Sequence, residues 1–139
     1  MQQAKPPEGF TPLPLNGTFN DALHPVYIKV SDDSAPEVGL LLQKQHLNSM
    51  GICHGAVTMA LFDIAFACAI GFEAKNYQTP TINISIDYLS ASKEGEWLWV
   101  EAECLKTTKT TGFASGLIRS EAGVKARGSG VFKIPAPKT

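Results

Sequence analysis

The longest apolar stretch in the chain runs from Ala56 to Phe72 and is interrupted only by Thr58 and Asp63. Alanine, leucine and methionine favour helix, and a helix that is apolar on all sides is one enclosed by protein or by lipid. Its 17 residues, with a carboxylate in the middle, fall short of a membrane span of about 20 residues. We therefore predict a central helix enclosed by protein.

Alternating apolar and polar residues on both sides of this helix predict β-strands. The order β-β-α-β-β-β-β is typical of an α+β fold in which a curved antiparallel sheet with one apolar face wraps the helix. We place the strands at residues 25–31 and 37–46 before the helix, and at 81–88, 97–104, 112–120 and 124–134 after it.

The first 17 residues hold four prolines and no apolar periodicity. We expect an extended Pro-rich N-terminal arm over residues 1–18 and a single domain over residues 19–139. A chain of 139 residues can bury the core of one domain without a disulfide or a metal. In strand 97–104, Trp97 and Trp99 lie on the face opposite the apolar one, which suggests contact with a second subunit.

The three cysteines, Cys53, Cys68 and Cys104, are scattered and form no CxxC pair. An odd number of separate cysteines is typical of free thiols in a reducing compartment. The first residues carry neither the basic nor the apolar segment of a secretory signal. We expect a cytoplasmic protein.

The net charge of −1 conceals an uneven distribution, because residues 1–104 carry −7 and residues 105–139 carry +6. The near-neutral total argues against capture of nucleic acid. The basic C-terminal quarter suggests a local anionic partner, such as a phosphate-bearing ligand. The alternative is a solvated face of alternating strands.

Asp63 is the first candidate for chemistry, since it lies about two turns inside the predicted helix, too deep for the helix dipole to help it. Burying an unpaired carboxylate costs several kcal/mol, so such a residue is normally paired, protonated or functional. It is a candidate general base or nucleophile. The alternative is that the helix bends past the sheet rim and lets Asp63 reach water or a buried hydrogen-bond partner.

The segment before the helix is dense in small and polar residues. Gly55 lies near the helix start, where backbone N–H groups have no intrahelical partner and can form an oxyanion hole. Glycine there also lets a carbonyl approach the backbone closely. One hypothesis therefore places a reactive carbonyl between the Gly55 amide and the Asp63 carboxylate.

Two other chemistries of this segment are weaker. Cys53 and His54 are sequence neighbours whose side chains point apart in extended chain, which disfavours a nucleophile pair. The spacing of His46, His54 and Asp63 fits no zinc pattern. We predict no metal site.

The run H-x-N-x-x-G-x-x-H-G from His46 to Gly55, followed by L-x-D at Leu61 to Asp63, resembles the hotdog-fold acyl-CoA thioesterases. The most similar branch is the phenylacetate-pathway (PaaI-type) group, and the resemblance covers residues 38–134. It implies a hotdog fold and hydrolysis of an acyl- or aryl-acyl-CoA to the free acid and CoA, with no cofactor besides the CoA of the substrate. It also implies a homodimer or a dimer of dimers with the active site at the subunit interface. From the net charge and the length of the apolar run we expect neither nucleic acid nor a membrane as a partner.

The resemblance further implies roles for single residues. Asp63 matches the family's base or nucleophile, the Gly55 amide its carbonyl-polarising donor, and Asn48 the side chain that orients the carbonyl or the attacking water. Thr81 matches a hydroxyl residue that the partner subunit supplies. The CoA contacts match Asn83, Tyr88, Leu89, Ser90, Lys93, Lys106, Lys109, Thr110 and Thr111, with the three lysines towards the phosphates.

This chain departs from the family at Ala56, where a second glycine is usual, and at Ser90-Ala91-Ser92, which lacks the usual proline. Arg119, Lys125 and Arg127 of the basic C-terminal quarter are expected on a solvated face. A hotdog hydratase or dehydratase and a non-catalytic acyl-CoA-binding module are the alternative functions.

Overall fold

The structure, a computed structural model, describes residues 4–137. It contains one long helix and one antiparallel sheet, with short 3-10 turns at Phe19–Leu23 and Lys44–His46. The elements are β1 (Thr11–Pro12), β2 (Val26–Lys29), β3 (Glu37–Leu41), α1 (Gly55–Ala74), β4 (Thr81–Tyr88), β5 (Trp97–Thr107), β6 (Thr111–Ser120) and β7 (Gly123–Lys133). The seven strands are ordered β1-β2-β3-β5-β6-β7-β4, so β4 forms one edge. The predicted α+β architecture is confirmed.

The apolar residues of α1 pack on the sheet where its strands carry glycine. Phe62 and Phe66 are fully buried and stack on each other, with ring centroids 5.1 Å apart. They press against Gly128 and Gly130 of β7, where an added Cβ would lie 3.1 Å from Phe62 and 2.8 Å from Phe66. The glycines thus let the helix approach the sheet closely, and burial of each ring stabilises the fold by about 1.5–3 kcal/mol.

The prediction that α1 is enclosed on all sides holds for one face only. Met59 is 48% exposed and Asp63, about one turn further along the same side of α1, is half-buried. At 20 residues α1 is also longer than predicted. By length and composition alone α1 could cross a membrane, because its most apolar 18-residue stretch has a mean hydropathy of 1.9. In this structure 50% of that stretch is buried inside the protein. The sequence argument from length was therefore wrong.

The N-terminal segment is partly built into the sheet. Thr11–Pro12 pairs with β2, and the Ala4 N–H donates to the carbonyl of Gly95 at 3.1 Å. Phe10 packs edge-on against Trp97 at 5.2 Å, which leaves Trp97 only 6% exposed. The expectation that Trp97 contacts a second subunit was therefore wrong, because its own chain covers it. Residues 1–3 of the predicted arm lie outside the described range.

Candidate active site

The loop before α1 fixes the side chain of Asn48. Its Oδ1 accepts hydrogen bonds from the N–H groups of Met50 at 2.9 Å and Ile52 at 3.3 Å, while its backbone N–H donates to the carbonyl of Ile52 at 2.8 Å. Because the oxygen is held by the loop, the orientation of the amide is set. The Nδ2 group is left to donate to a carbonyl or a water.

The N-terminus of α1 presents one free donor. His54 is the N-cap, and its Nδ1 accepts from the Ala56 N–H at 2.9 Å, so the ring proton is on Nε2. The His54 carbonyl accepts from Val57 at 2.9 Å. Within residues 4–137 the Gly55 N–H finds no acceptor. Since the Ala56 N–H is already used, the missing second glycine leaves this donor unaffected.

Tyr88, at the end of β4, reaches the same helix start. Its hydroxyl donates to the Gly55 carbonyl at 2.6 Å, and burial raises the pKa of that hydroxyl. The contact fixes the first peptide units of α1 from the sheet side. Tyr88 is therefore placed to hold the Gly55 backbone in position.

Asp63 lies on the exposed side of α1 and has a hydroxyl partner. The Thr81 hydroxyl donates to Asp63 Oδ1 within one chain. The sequence left open whether the Asp63 carboxylate is paired or reaches water. In the structure it is both paired with a hydroxyl and accessible. The expectation that a partner subunit brings Thr81 to this carboxylate was wrong, because β4 begins beside the middle of α1 in the same chain.

Within one chain, Gly55 and Asp63 cannot both act on the same substrate carbonyl. Eight residues separate them along α1, which corresponds to about 12 Å at 1.5 Å per residue. Even when a water lies between the carboxylate and the carbonyl, three successive contacts of about 3 Å each keep the two groups within about 9 Å of each other. The hypothesis of a carbonyl between these two groups therefore fails within a single chain.

His46 and Cys53 have structural roles. The His46 ring is 1% exposed, with Nδ1 accepting from the Gln43 N–H at 2.9 Å and Nε2 donating to the Leu23 carbonyl at 2.9 Å, and its burial lowers its pKa. Both nitrogens are occupied, which leaves neither for a metal. Burial raises the pKa of the Cys53 thiol, whose sulfur lies 3.7 Å from the Thr58 hydroxyl, so it is poorly suited as a nucleophile. Among the residues the structure describes, no three His, Cys, Asp or Glu side chains form a metal-binding group.

The predicted CoA contacts fall into two clusters at opposite ends of the sheet. Tyr88, Leu89, Ser90 and Lys93 follow the end of β4, whereas Lys106, Lys109, Thr110 and Thr111 surround the β5–β6 turn, beside the β4 start. The length of β4 separates them by about 23 Å. Asn83 lies between them on β4, its Oδ1 3.3 Å from the Ser85 hydroxyl. One chain therefore does not bring all of these residues together.

Arg119, Lys125 and Arg127 differ in their surroundings. Arg119 pairs with Glu101 at 2.7 Å and Arg127 with Asp87 at 2.8 Å, both at the surface as expected. Lys125 is only 8% exposed. Its predicted place on a solvated face was wrong, because a β-bulge in β7 breaks the alternation that the prediction assumed.

Comparisons with known proteins connect this geometry to a family. Residues 50–126 match the sequence model of the thioesterase superfamily. A Pseudomonas aeruginosa protein named "Putative esterase" is 29% identical over 93% of this chain and 97% of its own length. Acyl-coenzyme A thioesterase 13 from Mus musculus is 32% identical over 53% of each chain.

The fold is shared with a solved structure as well. An N33D variant of the phenylacetic acid degradation protein PaaI from Thermus thermophilus superposes with a TM-score of 0.74 at 21% identity, covering 84% of this chain and 98% of that one. The hotdog-type architecture and the resemblance to PaaI-type proteins are confirmed.

Proposed function

Because the chain belongs to the thioesterase superfamily, we propose that it hydrolyses the thioester of an acyl- or aryl-acyl-CoA to the free acid and CoA. The name of the mouse relative, an acyl-coenzyme A thioesterase, supports CoA as the thiol. CoA enters only as part of the substrate, and the reaction uses no other cofactor. The free thiols of Cys53, Cys68 and Cys104 support the cytoplasm as its location.

The observation that carries this proposal is the pair of groups that α1 presents. At its first residue is an N–H to which no described residue offers an acceptor, and two turns further is a carboxylate that accepts a hydroxyl hydrogen bond. An aimed N–H stabilises the oxyanion of acyl transfer, and a carboxylate takes the proton from water. A hydratase would need a histidine beside the carboxylate, but the His54 ring caps the far end of this segment.

We propose that two copies of the chain share each site, since one chain keeps these groups about 12 Å apart. Within the described residues β4 pairs only with β7, so its other edge is free, and Ile82 on it is 59% exposed. A two-fold axis that pairs β4 with the partner's β4 in antiparallel fashion is the isologous solution for such an edge. The start of each β4 then lies beside the end of the other.

This arrangement solves two problems of the single chain at once. Tyr88 ties Gly55 to the β4 end, and Thr81 ties Asp63 to the β4 start. The two-fold axis therefore brings the partner's Gly55 towards Asp63. By the same operation it brings the partner's Tyr88–Lys93 cluster towards the Lys106–Thr111 turn, where one CoA can contact both.

In the proposed mechanism, Asp63 accepts a proton from water while the water oxygen bonds to the thioester carbon. The partner's Gly55 N–H holds the oxyanion, and the Nδ2 group of the partner's Asn48 orients the carbonyl. Collapse of the intermediate breaks the C–S bond, and the departing CoA thiolate takes the proton back from Asp63. The base is expected to contribute about 10²–10⁴-fold and the oxyanion donor about 10²–10³-fold.

A hydrolysis screen tests the activity. Purified protein is offered aryl, short, medium and long acyl-CoAs, and released CoA is followed with a thiol reagent. We expect turnover of at least one class. Thermal stabilisation by CoA without turnover of any acyl-CoA would show a binding module instead.

Subunit complementation tests the shared site. Gly55→Pro deletes the donor at a helix position where proline is favoured, and the extended His54 (ψ 136°) accommodates a following proline. Gly55→Ala is the matched control, because it keeps the N–H. Gly55→Pro and Asp63→Asn are each expected to be nearly inactive, but a mixed oligomer purified through two different tags should regain one intact site per dimer. An inactive mixed oligomer would refute a site shared in this way.

A further inference from the structure

Lys125 is a buried charge in a strand whose neighbouring odd-numbered residues face solvent. Ile118 pairs with Ala126 and Arg119 pairs with Val124, so Lys125 is the extra residue of a β-bulge. A bulge re-aims a side chain and is frequent beside active sites. Here it turns Lys125 inward, to 8% exposure, while Arg127 on the same strand stays in solvent.

Lys125 contacts the loop that follows β4, residues 89–96, through both its backbone and its side chain. The Lys125 carbonyl accepts from the N–H groups of Leu89 at 2.9 Å and Ser90 at 3.1 Å. Its Nζ donates to the Ala91 carbonyl at 2.9 Å and lies 3.5 Å from Glu96 Oε1. The other oxygen of that carboxylate accepts from the Lys93 N–H at 2.8 Å, which closes the loop.

The same loop holds the segment that leads into α1. The Ser92 carbonyl accepts from the Cys53 N–H at 2.9 Å, and Lys93 forms a β-bridge with Ile52. Ser92 is itself 5% exposed. Cys53 precedes Gly55 by two residues, so hydrogen bonds and short lengths of backbone together connect the Lys125 ammonium to the first residue of α1.

We propose that Lys125, through Glu96 and the 89–96 loop, is a positioning residue that fixes the Gly55 N–H for the oxyanion. The inference rests on the proposed thioesterase function. The N–H is needed most in the transition state, and a misplacement of one ångström or less reduces the rate steeply. The loss of the ammonium therefore lowers kcat, and it raises KM to a smaller extent because Leu89, Ser90 and Lys93 of the same loop are proposed CoA contacts.

The test compares Lys125→Met with Arg127→Met, which removes an exposed cation from the same strand. We expect Lys125→Met to lower kcat about tenfold and to raise KM by a smaller factor, and Arg127→Met to change neither. Glu96→Gln keeps an acceptor for the Lys93 N–H and is expected to lower kcat in the same direction. Adding it to Lys125→Met should cause little further loss, because the two charges act as one unit.

Hydrogen exchange gives a readout that does not depend on turnover. In Lys125→Met the Cys53 amide should exchange faster than in the natural protein, while amides in the interior of α1 keep their protection. If Lys125→Met fails to fold, Glu96→Gln is measured in the same way.

Two results would overturn the inference: a rise in KM alone, or a lower melting temperature with unchanged kcat and unchanged exchange at Cys53. Failure of the natural protein to hydrolyse any acyl-CoA would instead refute the proposed function. In that case the Cys53 exchange rate still decides whether Lys125 holds the helix start.

Discussion

The hydrogen bond between Thr81 and Asp63 leads to a quantitative prediction for kcat. Thr81→Val has nearly the same shape but removes the hydroxyl that donates to Asp63 Oδ1. A hydrogen bond to a charged group contributes about 1.5–3 kcal/mol. Because Thr81 is exposed and Asp63 only half-buried, water replaces part of the loss, and we take the lower end. At about 1.36 kcal/mol per factor of ten, kcat should fall about tenfold.

Asp63→Asn separates the contribution of Asp63 to kcat from that of Thr81. The asparagine keeps the shape and an oxygen for the Thr81 hydroxyl but loses the base, so kcat should fall by about 10²–10⁴-fold. If Thr81 acts by orienting the carboxylate, Thr81→Val should then have an effect of less than about twofold when it is added to Asp63→Asn. Thr81→Ser, which keeps the hydroxyl, should retain most of the activity.

The assay is initial-rate release of CoA thiol under saturating acyl-CoA, with circular dichroism and melting temperature as checks on folding. Two results would refute the reasoning. A tenfold loss from Thr81→Val both with and without Asp63→Asn would show that the hydroxyl acts independently of the carboxylate. Asp63→Asn at more than about a tenth of the natural kcat would exclude the carboxylate as the base.

Three further predictions concern packing and titration. Gly130→Ala places a Cβ 2.8 Å from the buried Phe66 ring and should lower stability by about 1–3 kcal/mol. The melting temperature should therefore fall in Gly130→Ala but not in the control Ser129→Ala. Equal melting temperatures would contradict the close packing. Burial lowers the pKa of His46, so the unfolded chain binds the proton more tightly, and stability should fall as pH drops below about 6.5. Urea midpoints at two pH values check this, and His46→Gln should reduce the slope. Burial raises the pKa of Cys68 to about 11, so at pH 8 its alkylation should be at least about a hundredfold slower than that of an exposed thiol. Mass spectrometry follows the alkylation. Rapid labelling would show that the thiol is not buried.

Local patterns predicted the long elements. An apolar run of helix-favouring residues indicated α1, and the alternation of apolar and polar residues indicated the long strands. The two-residue strand β1 has no such repeat. Its pairing with β2 depends on a long-range contact of Phe10 with Trp97, which no local window contains.

The sequence predicted which residues form the site better than it predicted which groups they contact. Gly55 follows from the helix start and Asp63 from its polarity inside an apolar run. Whether the Thr81 hydroxyl reaches the Asp63 carboxylate of its own chain or of a partner depends on how far α1 extends beside β4. Neither residue indicates this by itself. Lys125 was missed because one extra residue in a strand reverses the facing of the side chain, and nothing in the alternation of β7 marks where that residue lies.

The apolar character of α1 also has a consequence during synthesis. α1 ends at Ala74, and the strands that follow it and pack against it, β4 to β7, extend to Lys133. At about 5–20 residues per second, the ribosome needs roughly 3–12 seconds to add them. Throughout that interval the nascent chain carries a helix apolar enough to enter a bilayer. We expect this segment to be the main binding site for chaperones on the unfinished protein.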